Sequence, residues 1–399
     1  MKILWLKVEG FRSLKSQSWR PGDLNVVIGP NASGKSNLLR VLEMVSVSAK
    51  RGLGKYIQQE GGMEPVVWDG QAQKVMTLVE FKGGLIFEGE DSERATDRVL
   101  YGLILGRLGT SSAYRVDHEF LQLVDEESLS TPTRVLDRDS SHARVLPPDS
   151  AVLEAPATSI PEGETLLSIA AGPFPAMELI NDIQSELASW RIYQGFNTHR
   201  EAPIRAPQVT RAETQVDPDG QNLISVLHTL YTTSRDFRDE ANTAMRAAFG
   251  EDFEEIVFPP AADQRIQLRI RWRSLKREQS AADLSDGTLR FLFLLAILAN
   301  PSPPPLIAID EPETGLHPSM MPIVAEYARD ASNRSQVILT THSPEFLNAF
   351  GEDVPTTTVV ERIDGETRLR TLSGEDLTYW LRQYSLGELY RSRELEAMR

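Results

Sequence analysis

The 399-residue sequence predicts an α/β fold: a mixed-sheet head assembled from both ends of the chain, with a β-rich arm and an inserted helical lobe. Three observations predict it. A glycine-rich loop, Gly29 to Ser36, stands between an apolar run and a helical pattern. The last third of the chain alternates strand and helix signals, and the segments after residue 73 read as the short, glycine-punctuated strands of an antiparallel sheet. The expected division is 1–125 for the N-terminal part of the head with its β subdomain, 126–260 for a loop-rich and helical lobe, and 261–399 for the C-terminal part of the head.

Taken in order, Ile3 to Val8 reads as a strand, Gly10 to Arg20 as a turn and Leu24 to Ile28 as a short buried strand. Leu38, Leu39, Leu42, Val45 and Val47 give a helix that starts where the glycine-rich loop ends. Strand patterns follow at Lys74 to Phe81, Leu85 to Glu88, Leu100 to Leu108 and Tyr114 to Val124. Seven prolines between Thr131 and Pro175 predict loops there. Helices are expected at Ala176 to Ser189, Asn222 to Tyr231 and Asp236 to Phe249, with a strand at Ser189 to Gly195. Ile266, Leu268, Ile270 and Trp272 alternate with Gln267, Arg269, Arg271 and Arg273, a half-buried strand with one basic face. The chain then returns to helix (Thr288 to Ala299), strand (Leu306 to Ile309), helix (Ser319 to Ala331) and strand (Gln336 to Leu339), which implies a parallel sheet.

Composition excludes several classes. There are no cysteines, so disulfides, thiolate metal sites and a cysteine nucleophile are out. The longest apolar run, Phe291 to Ala299, falls well short of the roughly twenty residues of a spanning helix, so no membrane span is expected. Lys7 and Glu9 interrupt the N-terminus before a signal-peptide core can build, and a cytoplasmic address is the expectation. A net charge of −15 argues against indiscriminate nucleic-acid binding while leaving room for a local basic groove.

The chemistry concentrates in four places. Gly29-Pro-Asn-Ala-Ser-Gly-Lys-Ser36 fits G-x-x-x-x-G-K-[ST] in its required strand-to-helix setting. Such a loop turns backbone N–H groups and a helix N-terminus toward phosphates, with Lys35 on the β/γ-phosphates and Ser36 on Mg²⁺. Leu306-Ile-Ala-Ile-Asp310-Glu311 is an apolar strand that delivers two acids to a sheet edge, where Asp310 suits the Mg²⁺ and Glu311 the attacking water. Leu284-Ser-Asp-Gly-Thr288 opens a helix whose N-terminus and Ser285 seek an anion, and Thr340-Thr-His342-Ser-Pro places a histidine at another strand end.

In this order the motifs resemble those of ABC-type P-loop ATPases of the SMC, RecF and OLD group, in the subset of compact AAA-like bacterial ATPases without Toprim domain or coiled coil. GPNASGKS at 29–36 resembles the Walker A loop, LSDGT at 284–288 the signature, LIAIDEPE at 306–313 Walker B, ETGLHP at 313–318 the D-loop and TTHSP at 340–344 the switch histidine. The opening Lys7 to Leu14 and the closing Trp380 to Tyr390 are similar to the two ends of such chains. The resemblance implies an ABC ATPase fold that hydrolyses ATP with Mg²⁺ in a homodimer, two protomers sandwiching two nucleotides. Gly29, Asn31, Ala32, Ser33, Gly34, Lys35, Ser36 and Asn37 would hold ATP, with Arg12 a further candidate; Ser285, Asp286 and Gly287 would close on it from the second protomer. Glu311 is then the general base and His342 the γ-phosphate sensor, with Ser36, Asp310 and Gln194 the candidates around the metal; Gln73 is a weaker alternative to Gln194. Only 57 residues follow His342, too few for a Toprim nuclease domain.

The implied role is an ATP-gated switch in DNA repair, DNA maintenance or anti-phage defence, alone or with an effector protein encoded nearby. Arg265, Arg269, Arg271, Arg273, Lys276 and Arg277 surround Trp272, and Arg200, Arg205 and Arg211 form a second group, so these are the candidate DNA contacts. Such a face is more often solvated or paired with acids. The alternatives are the ATPase subunit of a transporter, disfavoured because Thr288 stands where transporters commonly carry glutamine, and a slow-turnover regulatory module that binds ATP to set its shape.

Overall fold

A computed structural model describes residues 1–89, 92–109, 112–124, 133–140, 142–146, 155, 160–170, 178–372, 384–392 and 394, with the side chains of 83–97, 170 and 178 outside the description. The chain forms two compact units: Met1–Gly22, Gly29–Trp190 and Thr358–Thr371 in the first, Asp23–Ile28, Arg191–Thr357 and Leu372–Arg399 in the second.

In the first unit, β1 (Lys2–Phe11), β2 (Leu14–Trp19), β4 (Lys74–Gly89), β5 (Ser92–Arg107), β6 (Tyr114–Val124), β7 (Thr133–Asp139) and β8 (Ala143–Val145) form one antiparallel sheet in the order β2-β1-β4-β5-β6-β7-β8. Where a turn was expected from Gly10 to Arg20, β1 and β2 make a tight hairpin, because Gly10 and Arg12 adopt left-handed backbone and reverse the chain within two residues. The two strands expected at 74–81 and 85–88 are one, with a register shift between Lys82 and Leu85 at the Gly83-Gly84 pair. The proline-rich region is more regular than expected. Its prolines lie outside β7 and β8, which therefore keep their ladder; most of its prolines lie outside the described residues. The helices α1 (Lys35–Ser48), α2 (Leu53–Gln59), α3 (Leu166–Ala170) and α4 (Glu178–Ser189) bury Leu38, Leu42, Ile57, Leu166, Ile183 and Leu187. The antiparallel hairpin of β18 (Thr356–Ile363) and β19 (Glu366–Thr371) completes this unit.

In the second unit, β3 (Leu24–Ile28), β17 (Gln336–Thr341), β16 (Leu306–Asp310) and β9 (Arg191–Tyr193) run parallel in that spatial order. β3 and β17 are buried throughout and β16 up to Asp310, as expected of strands covered on both faces. The helices α5 (Leu223–Thr233), α6 (Arg235–Phe249), α7 (Asp286–Leu298) and α8 (Met321–Ser332) supply the cover, α7 with ten buried side chains from Thr288 to Leu298. Two small sheets accompany them: β10 (Gln208–Val209), β13 (Arg265–Ile266) and β12 (Pro260–Ala261), and β11 (Phe253–Val257), β14 (Arg269–Trp272) and β15 (Gln279–Ser280). The single basic strand read from alternation is thus two strands in two sheets, since Gln267 and Leu268 break the pairing. α9 (Pro344–Asn348) follows the histidine motif. The similarity noted for the closing segment falls partly on residues 380–383, outside the described residues.

Candidate nucleotide site

The phosphate loop belongs to the first unit and the acids, the histidine and the signature to the second. In the loop, Gly29 (φ 158°), Ala32 (φ 63°) and Gly34 (φ 109°) turn the chain, and a side chain at Gly34 would meet Thr367 Oγ1 at 2.0 Å. α1 starts at Lys35 with Gly34 as its N-cap residue, no side chain capping it and no acid in its first turn. The positive end of its dipole therefore meets no acid of its own first turn, a setting that favours an anion. Lys35 is buried and donates to the carbonyls of Gly29 (2.7 Å) and Pro30 (3.1 Å), which folds its ammonium over the loop.

The loop is braced by residues that the sequence did not single out. Thr367 of β19, fully buried, donates to Ser33 O (2.7 Å) and bonds Ser13 Oγ (2.7 Å); Ser13 in turn accepts from Asn37 Nδ2 (2.6 Å). More than 300 residues of sequence separate Thr367 from Ser33 and Ser13, so no local spacing could flag it. An open cavity of about 720 Å³ adjoins the loop, lined among others by Arg12, Ser13, Ala32, Asn37, Trp68 and Asp364. Arg12 has left-handed backbone (φ 49°) and its guanidinium pairs with Glu60. Burial, then the nearby Arg40 charge, pulls Arg12 below the usual guanidinium range.

In the second unit the parallel register sets the chemistry. Tyr193 lies opposite Ile309 and Asp310 opposite Thr340, so Gln194, Asp310, Glu311 and His342 leave three neighbouring strands at one carboxyl edge. Thr340 Oγ1 donates to Asp310, and the Glu311 N–H bonds both the carbonyl and the hydroxyl of Thr340 at 3.1 Å. Glu311 itself is left-handed (φ 47°), a conformation that costs a non-glycine residue about 1–3 kcal/mol and turns its carboxylate onto His342 Nδ1 at 2.9 Å. Glu311 and His342 are part-exposed, open to a ligand.

Two further charges serve this edge. Arg290 of α7 donates to Glu311 O (2.8 Å), and burial lowers its pKa against the opposing pull of Glu313, Glu311 and Asp310. Glu313 is buried, accepts from Thr341 Oγ1, and has its carboxyl raised by burial. At the signature, Ser285 caps α7, accepting from Thr288 N at 3.1 Å, and a side chain at Gly287 would meet Gly315 O at 2.7 Å.

The basic strand does not stand free as a DNA surface. Arg271 pairs with Glu255 and Glu278 (2.8 Å each), Arg273 with Glu251 (3.3 Å) and Arg269 with Glu278 (3.9 Å). Arg205, read with the second basic group, is turned inward with only 8% of its side chain exposed. Neighbouring acids thus neutralise these arginines locally.

Residues 24–348 match the family described as "AAA domain, putative AbiEii toxin, Type IV TA system". The chain belongs to this family. No curated protein matches it in sequence. Among solved structures, this AAA-domain chain is similar to an Smc head bound to the C-winged helix domain of ScpA, at 14% identity over 95% of this chain and 100% of that one, with a TM-score of 0.58. It is also similar to an Smc head domain with an extended coiled coil bound to the C-terminal domain of ScpA derived from Pyrococcus furiosus, at 14% identity over 96% and 98%, with a TM-score of 0.56. The fold is therefore that of an SMC-type P-loop ATPase head, the α/β class expected from the order of motifs. None of its helices among the described residues is long and apolar enough to cross a membrane.

Proposed function

We propose that this AAA-domain chain is a Mg²⁺-dependent ATPase working as a nucleotide-bridged homodimer, an ATP-gated switch in DNA maintenance, DNA repair or anti-phage defence that acts with a separate effector protein. The observation that carries the reading is the Glu311–His342 pair, 2.9 Å apart beside Asp310 at the carboxyl edge of parallel strands. A carboxylate held against an imidazole and beside a metal-binding acid is the equipment for activating water against a phosphoanhydride. In this reading Lys35 and the N–H groups from Gly29 to Ser36 hold the triphosphate, with Asn37 and Arg12 alongside. Ser36, Asp310 and Gln194 would hold Mg²⁺, which would supply positive charge against the phosphates. Ser285, Asp286 and Gly287 of the second protomer close over the γ-phosphate, where a second helix N-terminus adds to the first.

The arginines of β14 are charge-compensated, and the solved relatives are bound to a protein, ScpA; both support an effector protein over a broad DNA surface. The test compares wild type with Glu311→Gln for ATP turnover and for light-scattering mass, with and without duplex and single-stranded DNA at fixed salt. Glu311→Gln retains ATP binding, loses about a hundredfold or more in turnover and accumulates as an ATP-bound dimer. Wild-type turnover by Glu311→Gln overturns the base assignment. Stimulation of the wild type by DNA at low salt places DNA among the partners; no response directs the search to a co-purifying protein.

A further inference from the structure

Beside the local bonds of Gln279 and Ser280 to Asp283, a side chain distant in sequence holds the signature loop. Arg205 closes a short turn, Pro203–Arg205, in the stretch that follows β9, and the neighbouring Ile204 is fully buried, which anchors the turn. The guanidinium fans out from there. Nε donates to Thr198 O at 2.8 Å. Nη1 reaches Leu284 O at 2.7 Å, Ala281 O at 3.0 Å and, more weakly, Ala282 O at 3.4 Å. Nη2 donates to Asp286 Oδ1 at 2.5 Å. One planar fork thus ties the stretch after Gln194 to three carbonyls of the loop leading into α7 and to the first acid of that helix.

We propose that Arg205 is the positioning residue of the signature, holding the 281–286 loop in the shape that presents Ser285 and the α7 N-terminus to a nucleotide phosphate; this rests on the reading that the signature acts on the nucleotide of the second protomer. Two physical effects combine. Three carbonyl dipoles and a carboxylate converge at the mouth of α7, and without a cation between them they repel one another and any incoming phosphate. Asp286 is the sharper of these costs, because its side chain is 71% exposed and its negative charge sits within the first turn that is to receive a triphosphate. Pairing it with Arg205 removes that repulsion while leaving the N–H groups of the helix their positive end. The second effect is geometric. A lysine offers its donors from a single point and cannot span from Thr198 O to Asp286 while also holding the carbonyls between them.

A purely structural role predicts damage confined to the protomer that carries the substitution, whereas positioning of the signature predicts damage to the partner's nucleotide. The experiment separates them by mixing full-length chains. Arg205→Ala alone binds a fluorescent ATP analogue like wild type and turns ATP over about tenfold or more slowly, the scale of a lost transition-state contact. Lys35→Ala alone binds no nucleotide. Mixed, the two form heterodimers in which the phosphate loop of the Arg205→Ala chain faces the intact signature of the Lys35→Ala chain, and turnover rises several-fold above that of either alone.

The companion mixture of Ser285→Ala with Lys35→Ala checks the underlying composite site. If that mixture recovers and the Arg205→Ala mixture does not, Arg205 acts within its own protomer and the proposal is overturned while the composite site stands. If neither mixture recovers, the composite site fails and the proposal falls with it. Arg205→Ala turning over at the wild-type rate also overturns it. Should Arg205→Ala not fold, Arg205→Lys carries the same mixtures: it keeps a charge beside Asp286, gives up the fork, and is expected to lose several-fold in turnover with unchanged ATP binding; wild-type turnover by Arg205→Lys refutes the proposal.

Discussion

Thr367→Val tests how the phosphate loop is held. The exchange keeps the volume and the branch at Cβ and removes one hydroxyl, which in the wild type donates to Ser33 O and bonds Ser13 Oγ, both at 2.7 Å, in a fully buried setting. Ser13 keeps its bond from Asn37, so the principal loss is the donor to the Ser33 carbonyl. Leaving a buried acceptor unsatisfied costs about 1–3 kcal/mol. If that cost falls wholly on the loop conformation competent to bind, ATP affinity drops between about fivefold and a hundredfold or more. Titration with a fluorescent ATP analogue reads the affinity, and a thermal melt reads the remainder. Thr367→Ser, which keeps the hydroxyl and loses a methyl, is expected to stay close to wild type in affinity. Thr367→Val binding within twofold of wild type and melting at the same temperature would refute the brace.

The remaining predictions concern the other unit. His342→Ala is expected to lose about tenfold or more in turnover with ATP binding unchanged, because in the proposed mechanism the imidazole bonded to Glu311 at 2.9 Å orients the proposed base; a steady-state assay beside a binding titration decides it. Glu313→Gln changes the pH dependence of stability. Burial holds the Glu313 carboxyl above its ordinary value, so above that value the folded state still binds a proton that the unfolded chain has released. Stability drawn from this group is therefore present at acidic pH and is lost as pH climbs from the usual carboxylate range through the raised value. Glu313→Gln keeps an oxygen for Thr341 and carries no such penalty. Its denaturation midpoint should match wild type at the acid end and gain on it with rising pH, and parallel curves would show that Glu313 ionises without cost.

The sequence carried the motif residues because each motif is a stretch of chain whose physics is local. Gly29 to Ser36 needs only its own glycines and the following helix, and Asp310-Glu311 only an apolar strand before it. The same holds for the helices, which fall within a few residues of their apolar periods: α7 begins at Asp286, two residues before Thr288, because Ser285 caps it. What escaped was whatever depends on partners distant in sequence. Thr367 sits in a strand with no motif, and Arg205 and Arg290 look like any surface arginine until the fold turns them inward. The basic alternation at 266–273 left the partner open while favouring acids: period two is the same whether the outward arginines meet phosphates or glutamates, and Arg269, Arg271 and Arg273 meet Glu251, Glu255 and Glu278. Proline density misled, since it marks where strands cannot pair without telling whether strands lie between.

The two helix N-termini that carry anion-seeking motifs are prepared differently, and the difference bears on order of action. α1 has no side-chain cap and no acid in its first turn, so a phosphate arriving there meets no carboxylate and has only to draw Lys35 from the loop carbonyls. α7 is already satisfied: Ser285 occupies the Thr288 N–H, and Asp286 places a negative charge in the first turn that Arg205 has to balance. An anion meets the α1 dipole with no acid of the first turn against it, and the α7 dipole only after competing with Ser285 and Asp286. Under the proposed mechanism, nucleotide loads first on the phosphate loop, and the signature adds enough only when a second chain brings it against a phosphate whose charge is already partly neutralised. In the proposed homodimer a chain with a net charge of −15 would gain from that order, since two such chains repel one another until the proposed nucleotide and its cation bridge them.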